Sequence, residues 1–139
     1  MFKLNSFFNS RESHEQEEFL LRQVLSSKTA AIISARCCVP KGIMNDEIIE
    51  TNLKKVLKEK KLDWPIILIT ITQAQSAIEQ VGSQLSPIEQ ELIQEVQALV
   101  LNHGLYAFPV LVLNQRLVSF GGAPTQEKLL EFLENKQNV

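Results

Sequence analysis

What this chain of 139 residues lacks excludes most familiar chemistries. Only two cysteines occur, and they are neighbours, Cys37 and Cys38. A disulfide framework needs cysteines distant in sequence, so a stapled secreted scaffold is excluded. A bond between neighbours would close a small strained ring and be easily reduced, so free thiols are the expected resting form. The two histidines, His14 and His103, lie too far from each other and from the cysteines to form a local zinc motif, and no metal site is expected. Basic charge is not in excess: 14 Lys and Arg stand against 16 Asp and Glu. That balance gives no electrostatic footprint for nucleic acid. No run approaches the roughly eighteen apolar residues of a membrane span. The opening Met1 to Phe8 holds no apolar region of signal-peptide length. The expectation is a cytoplasmic protein with neither nucleic acid nor membrane as partner. P-loop, Rossmann, Ser-His-Asp and paired-carboxylate signatures are missing too.

What is present is an α/β pattern. Residues 1–28 read as an N-terminal extension with an amphipathic helix from about Ser10 to Ser27, in which Phe19, Leu20, Gln23 and Val24 fall at helical spacing. That helix packs either on the main domain or on a second copy of the chain, which makes a homodimer one alternative. Residues 29–134 read as one domain, and 135–139 as a frayed tail. Thr29 to Cys37 reads as a strand centred on Ala31, Ile32 and Ile33. A loop over 39–45 follows, then a helix capped by Asn45 with Ile48, Ile49, Leu53, Val56 and Leu57 on one face. Its basic end (Lys58, Lys60, Lys61) complements the helix dipole. Trp64 to Thr72 is nearly all apolar and β-branched, which predicts a strand covered on both faces in a parallel sheet. The polar stretch 73–85 is ambiguous, with a short helix near 74–81. Ser86-Pro87-Ile88-Glu89 is a capping box with proline at the first helical position, and Gly104 supplies the stop. Strands at about 107–113 and 116–120 flank a tight Asn114-Gln115 turn. After Gly121-Gly122, Pro124 and Thr125 open a helix bearing Leu129, Leu130, Phe132 and Leu133.

The order β-α-β-α-β-β-α predicts a four-stranded mixed sheet flanked by helices, plus the extra N-terminal helix. With cysteines at the end of the first strand and a proline opening the third, it resembles the thioredoxin-like fold. The segment Pro109-Val110-Leu111-Val112-Leu113-Asn114 followed by Gly121-Gly122 is similar to the C-terminal half of glutaredoxins. That resemblance implies a cis Phe108-Pro109 bond. It also implies a thiol beside it, and glutathione as co-substrate held by backbone at Phe108, Pro109, Gly121 and Gly122. No other cofactor is implied. The chain departs from the family in having no Cys-x-x-Cys: Cys38-Val39-Pro40-Lys41 puts lysine at the resolving position. A monothiol mechanism at Cys38 or Cys37 remains, with Lys41 as a nearby cation and a thiol, disulfide or protein as partner. The Cys-Cys pair also resembles arsenite metallochaperones, which implies soft-metal or arsenite binding, although the third cysteine those proteins carry is missing.

Bland readings stand beside these. Cys37 and Cys38 read equally as small, partly buried hydrophobes ending a core strand, in a non-catalytic module whose surface serves protein contact. Gly121-Gly122 reads equally as a strand-to-helix turn. His103 fits a helix C-terminus, where imidazolium meets the last carbonyls.

Overall fold

The computed structural model describes residues 15–38 and 42–137. They form α1 (15–24), β1 (Ala30–Ser34), α2 (Gly42–Glu59), β2 (Ile66–Thr70), α3 (Ile71–Val81), α4 (Pro87–His103), β3 (Val110–Leu113), β4 (Arg116–Ser119) and α5 (Gln126–Gln137). Short 3-10 turns follow α3 and α4, at Gly82–Gln84 and Gly104–Ala107. The class is α/β, with one mixed sheet of order β2-β1-β3-β4. β1 pairs with β2 in parallel and with β3 antiparallel, and β3 pairs with β4 antiparallel.

Alternation along the two central strands assigns every residue to one of two cores. Ala31, Ile33, Val110 and Val112 face a cluster completed by α1, α3 and α4. Ala30, Ile32, Leu111 and Leu113 face the other, completed by α2 and α5 through Ile49, Leu53, Val56, Leu129 and Leu133. Every residue of β1 and β3 is buried. A run without polar alternation is what a strand covered on both faces requires. β2 departs from the sequence expectation here. Its composition is as apolar, yet it lies at the sheet edge and is mostly half-buried.

Four boundaries also differ from expectation, the first being that β3 begins at Val110 rather than near 107, because Gly104–Ala107 forms a 3-10 turn and the cis Phe108-Pro109 bond precedes the strand. β2 ends at Thr70, and α3 starts at the next residue. The cause is local: the Thr70 side chain accepts from the Gln73 backbone N–H while the Gln73 side chain accepts from the Thr70 N–H, a complete capping box. β1 ends at Ser34, so the cysteines fall in a turn beyond it rather than in the strand. The helix after the cysteines begins at Gly42, not at Asn45. Asn45 is therefore no cap, and Asp46 serves a tertiary role described below.

Most other signals behave as read. The Ser86–Glu89 capping box is present with Pro87 in the first turn. Thr125 Oγ1 accepts from the Lys128 N–H at the start of α5. The basic end is less solvated than read, since Lys60, just beyond α2, is mostly covered and pairs with Glu134 of α5 at 3.0 Å. The Asn114-Gln115 turn has positive φ at both residues, as a two-residue hairpin demands. Glutamine is unusual there, and the structure explains it. Gln115 Nε2 donates to the Leu25 carbonyl at 2.8 Å, while Asn114 Oδ1 accepts from the Lys28 N–H at 2.7 Å. The hairpin is thus tied to the segment joining α1 to β1. α1 itself packs on the domain through Leu21, Val24 and Leu25, while Phe19 stays 62% exposed.

Candidate functional site

The cysteines sit in a turn closed by the Cys38 N–H donating to the Ala35 carbonyl at 2.8 Å. The base of that turn is fixed by a buried carboxylate. Asp46, 1% exposed, accepts from the Ser34 hydroxyl and, at 3.0 Å, from Arg36 Nε. Ser34 Oγ in turn accepts from the Arg36 backbone N–H at 3.0 Å. A buried charge needs a partner and hydrogen bonds, and this network supplies them at Oδ2, while Oδ1 is buried without a hydrogen-bond partner. The residues on either side of the turn are thereby locked, and the thiols follow.

Both thiols are free and exposed, and their sulfurs are 3.1 Å apart. The reading of the pair as partly buried strand-end hydrophobes is therefore overturned: β1 ends at Ser34, and the chain leaves the core after Ala35. The hydroxyl of Thr72 donates to Cys37 Sγ at 3.2 Å. Thr72 lies in the first turn of α3, so Cys37 meets the N-terminal end of a helix, where unpaired backbone N–H groups favour an anion. Partial desolvation pushes the Cys37 thiol up, but hydrogen bonds from the Thr72 hydroxyl, Cys38, the Thr72 backbone and Thr70 outweigh it. The net effect lowers Cys37 from an ordinary 9.0 to about 7. Cys38 moves the other way, raised by its hydrogen bond to Cys37, by desolvation and by the Cys37 charge. The two shifts describe one pair, which loses its first proton at Cys37 and its second with more difficulty at Cys38. The Thr70 hydroxyl has one proton to give, and Gln73 Oε1 competes for it at 3.3 Å.

The Phe108-Pro109 peptide bond is cis. Pro109 leads into β3, whose Val110 pairs with Ile33 of β1, so the cis bond and the cysteine turn lie at the same end of the sheet. The contacts of the thiols run to α3 on the β2 side of β1, however, whereas β3 flanks its other side. The Phe108 side chain is buried in the core shared with α3 and α4. Gly121 is bound to the cis-proline loop by its N–H, which donates to the carbonyls of Ala107 at 2.9 Å and Pro109 at 3.2 Å. Its φ is +76°, and an added Cβ would lie 3.1 Å from the Tyr106 carbonyl oxygen. Gly122 has neither constraint. We expect Gly121→Ala to cost about 1–2 kcal/mol in a denaturant titration and Gly122→Ala almost nothing. Equal effects at the two positions would contradict this account.

His103 ends α4 and its ring stacks on Phe120 at a centroid distance of 5.2 Å. It takes no part in the thiol contacts, and no cluster of three metal-ligating side chains occurs among the described residues. Lys41 and His14 lie outside the described residues.

No family model, curated protein or solved structure matches this chain. The site therefore has to be read from its own residues. Sequence reasoning singled out Cys37 and Cys38 and the cis bond at Pro109, which takes no part in the thiol contacts described, and missed Ser34, Arg36, Asp46, Thr70 and Thr72. The Thr70-x-x-Gln73 spacing is a legible capping-box signal that would have placed Thr72 on a helix N-terminus. Nothing local marks Asp46 as the anchor of the turn.

Proposed function

We propose that this chain is an atypical thioredoxin-like thiol protein in which Cys37 is the attacking group and Cys38 its supporting neighbour. The observation that carries the reading is the environment of Cys37: exposed, hydrogen-bonded by Thr72 at the start of a helix, and lowered to about 7. Near neutral pH a large share of Cys37 is thiolate, the only form that attacks a disulfide. Support for the thioredoxin-like fold comes from the sheet order and the cis bond before β3.

The step is a thiol–disulfide exchange. Cys37 Sγ attacks the glutathione sulfur of a mixed disulfide between glutathione and a substrate thiol, a new S–S bond forms, and the substrate sulfur leaves as thiolate. A free glutathione thiolate then attacks the glutathione sulfur of the adduct, glutathione disulfide leaves, and Cys37 returns to the thiolate. One disulfide is consumed and one is formed, so the electrons balance. A reducing, cytoplasmic setting suits two free thiols. A second reading rests on the 3.1 Å separation of the sulfurs, which suits two-point capture of a soft metalloid such as arsenite.

The test is the rate of iodoacetamide alkylation at each cysteine against pH, read by mass spectrometry with and without glutathione disulfide. Cys37 should show an inflection near 7 and take the glutathione adduct, while Cys38 reacts only at higher pH. Thr72→Val should cut the Cys37 rate below pH 7 about three- to tenfold, since the lost hydrogen bond stabilised the thiolate. A Cys37 inflection at the ordinary thiol value, unmoved by Thr72→Val, would sink the assignment of Cys37 as the attacking group. Arsenite protecting both thiols at once, with no glutathione adduct, would favour metalloid capture.

A further inference from the structure

One large apolar cavity opens beside this site. Its volume is about 380 Å³, within the range of small-molecule sites. α3 supplies Ile71, Ala74, Gln75 and Ile78, and α4 faces it with Leu92, Val96, Gln97 and Leu101 among others. Leu21 and Val24 of α1 close the far end, and Phe108 and Val112 belong to the floor. No charged side chain lines it. Gln75 and Gln97, both exposed, are the polar side chains of the lining and stand on opposite walls. Ile71, at one end of the lining, is the sequence neighbour of Thr72, whose hydroxyl bonds Cys37, but neither the cysteines nor Thr72 line the cavity. Leu101 at that end is 87% exposed and leads to Leu105 and Tyr106, also exposed.

We propose that this cavity binds an unbranched aliphatic chain, as in a medium-chain fatty acid, with the polar head at the solvent-exposed rim beside Gln75 and Gln97. The dimensions select the class. At about 1.5 Å per helical residue, lining from Ile71 to Ile78 and from Leu92 to Leu101 makes the walls about 10–13 Å long. The volume over that length leaves a bore about 6 Å wide, wide enough to admit an aliphatic chain along its length. An extended chain advances about 1.25 Å per carbon, from the C–C length and near-tetrahedral angle, so eight to ten carbons fill the bore. The branched aliphatic lining offers a head group nothing inside, whereas the two glutamines and the first turn of α3 offer donors at the rim. The inference does not depend on Cys37 being reactive.

Isothermal titration of the full chain with hexanoate, octanoate, decanoate and hexadecanoate tests it. Affinity should rise about fourfold per methylene up to roughly ten carbons and then level, with one site per chain. Val96→Phe, which fills the bore, should weaken decanoate at least tenfold. Leu101→Asp, an exposed rim change that leaves folding intact, should weaken it several-fold. Lys54→Ala, an exposed change on α2 outside the lining, should leave it unchanged, and the Cys37 alkylation profile read without ligand separates failure here from failure of the thiol reading. No saturable uptake, affinity still climbing at hexadecanoate, or indifference to both rim and bore changes would overturn the proposal. So would decanoate binding that emerges only after Phe7 and Phe8 are replaced by serine, which would give the bore to this chain's own N-terminal segment. A concentration-dependent dimer broken by Leu101→Asp, without decanoate uptake, would give it to a second copy and equally overturn it.

Discussion

Cys37→Ser abolishes rapid alkylation near pH 7 and formation of the glutathione adduct, leaving Cys38 to react as an ordinary thiol. The loss is total because Cys37 is the thiol that Thr72 and the start of α3 stabilise as an anion. The same change lowers Cys38, because the Cys37 hydrogen bond and charge that held it up are gone or weakened. Cys38→Ala gives the converse, adduct formation retained and the Cys37 inflection moved upward by loss of the Cys38 hydrogen bond. Alkylation mass spectrometry on the two variants decides the matter; an adduct surviving in Cys37→Ser would sink the assignment. The sign of the linked stability follows from the lowered Cys37. Its thiolate stabilises the folded state fully above the unfolded value of about 9. That contribution fades as pH falls from 9 toward 7 and is absent below it. The opposed shift of Cys38 offsets part of this, and both groups are exposed, so the net slope is shallow.

Asp46→Ala is the largest stability loss expected at the site, about 2 kcal/mol, or roughly 4–8 °C in Tm. Asp46 is buried and serves two donors, so its removal leaves the Ser34 hydroxyl short of an acceptor and frees Arg36. The Arg36 side chain is about one-third exposed, which returns it to water and keeps the cost below that of a fully buried pair. Arg36→Met combined with Asp46→Leu should recover much of the loss, because apolar residues of similar size need no partners. The turn carries the thiols, so Asp46→Ala should also move the Cys37 alkylation inflection upward, while Lys54→Ala, an exposed change on α2, leaves it in place. Thermal unfolding and the alkylation profile of the same variants separate the two effects. A destabilised Asp46→Ala with an unmoved inflection would show that the turn holds its shape without the network.

Much of this protein was determined by local sequence. The apolar runs at 30–34 and 110–113 made the central strands, because a strand covered on both faces has no use for polar alternation. Ser86-Pro87-Ile88-Glu89 and Thr125 started helices through their own side chains. Asn114 set a hairpin by tolerating positive φ. The tertiary structure decided the rest. Whether Ile66–Thr70 was central or at the edge depended on which strand β3 joined, a pairing set across more than forty residues of chain. Gln115, a poor turn residue by propensity, earned its place through a carbonyl ninety positions away. Asp46 looked like first-turn acid and became a buried anchor, since Ser34 and Arg36 reached it only once β1 and α2 had packed. The sequence named the two cysteines; the meeting of their turn with the start of α3 made them unequal. Charge and hydrogen bonding at a sulfur depend on groups within a few ångströms, and folding alone brought residue 72 beside residue 37.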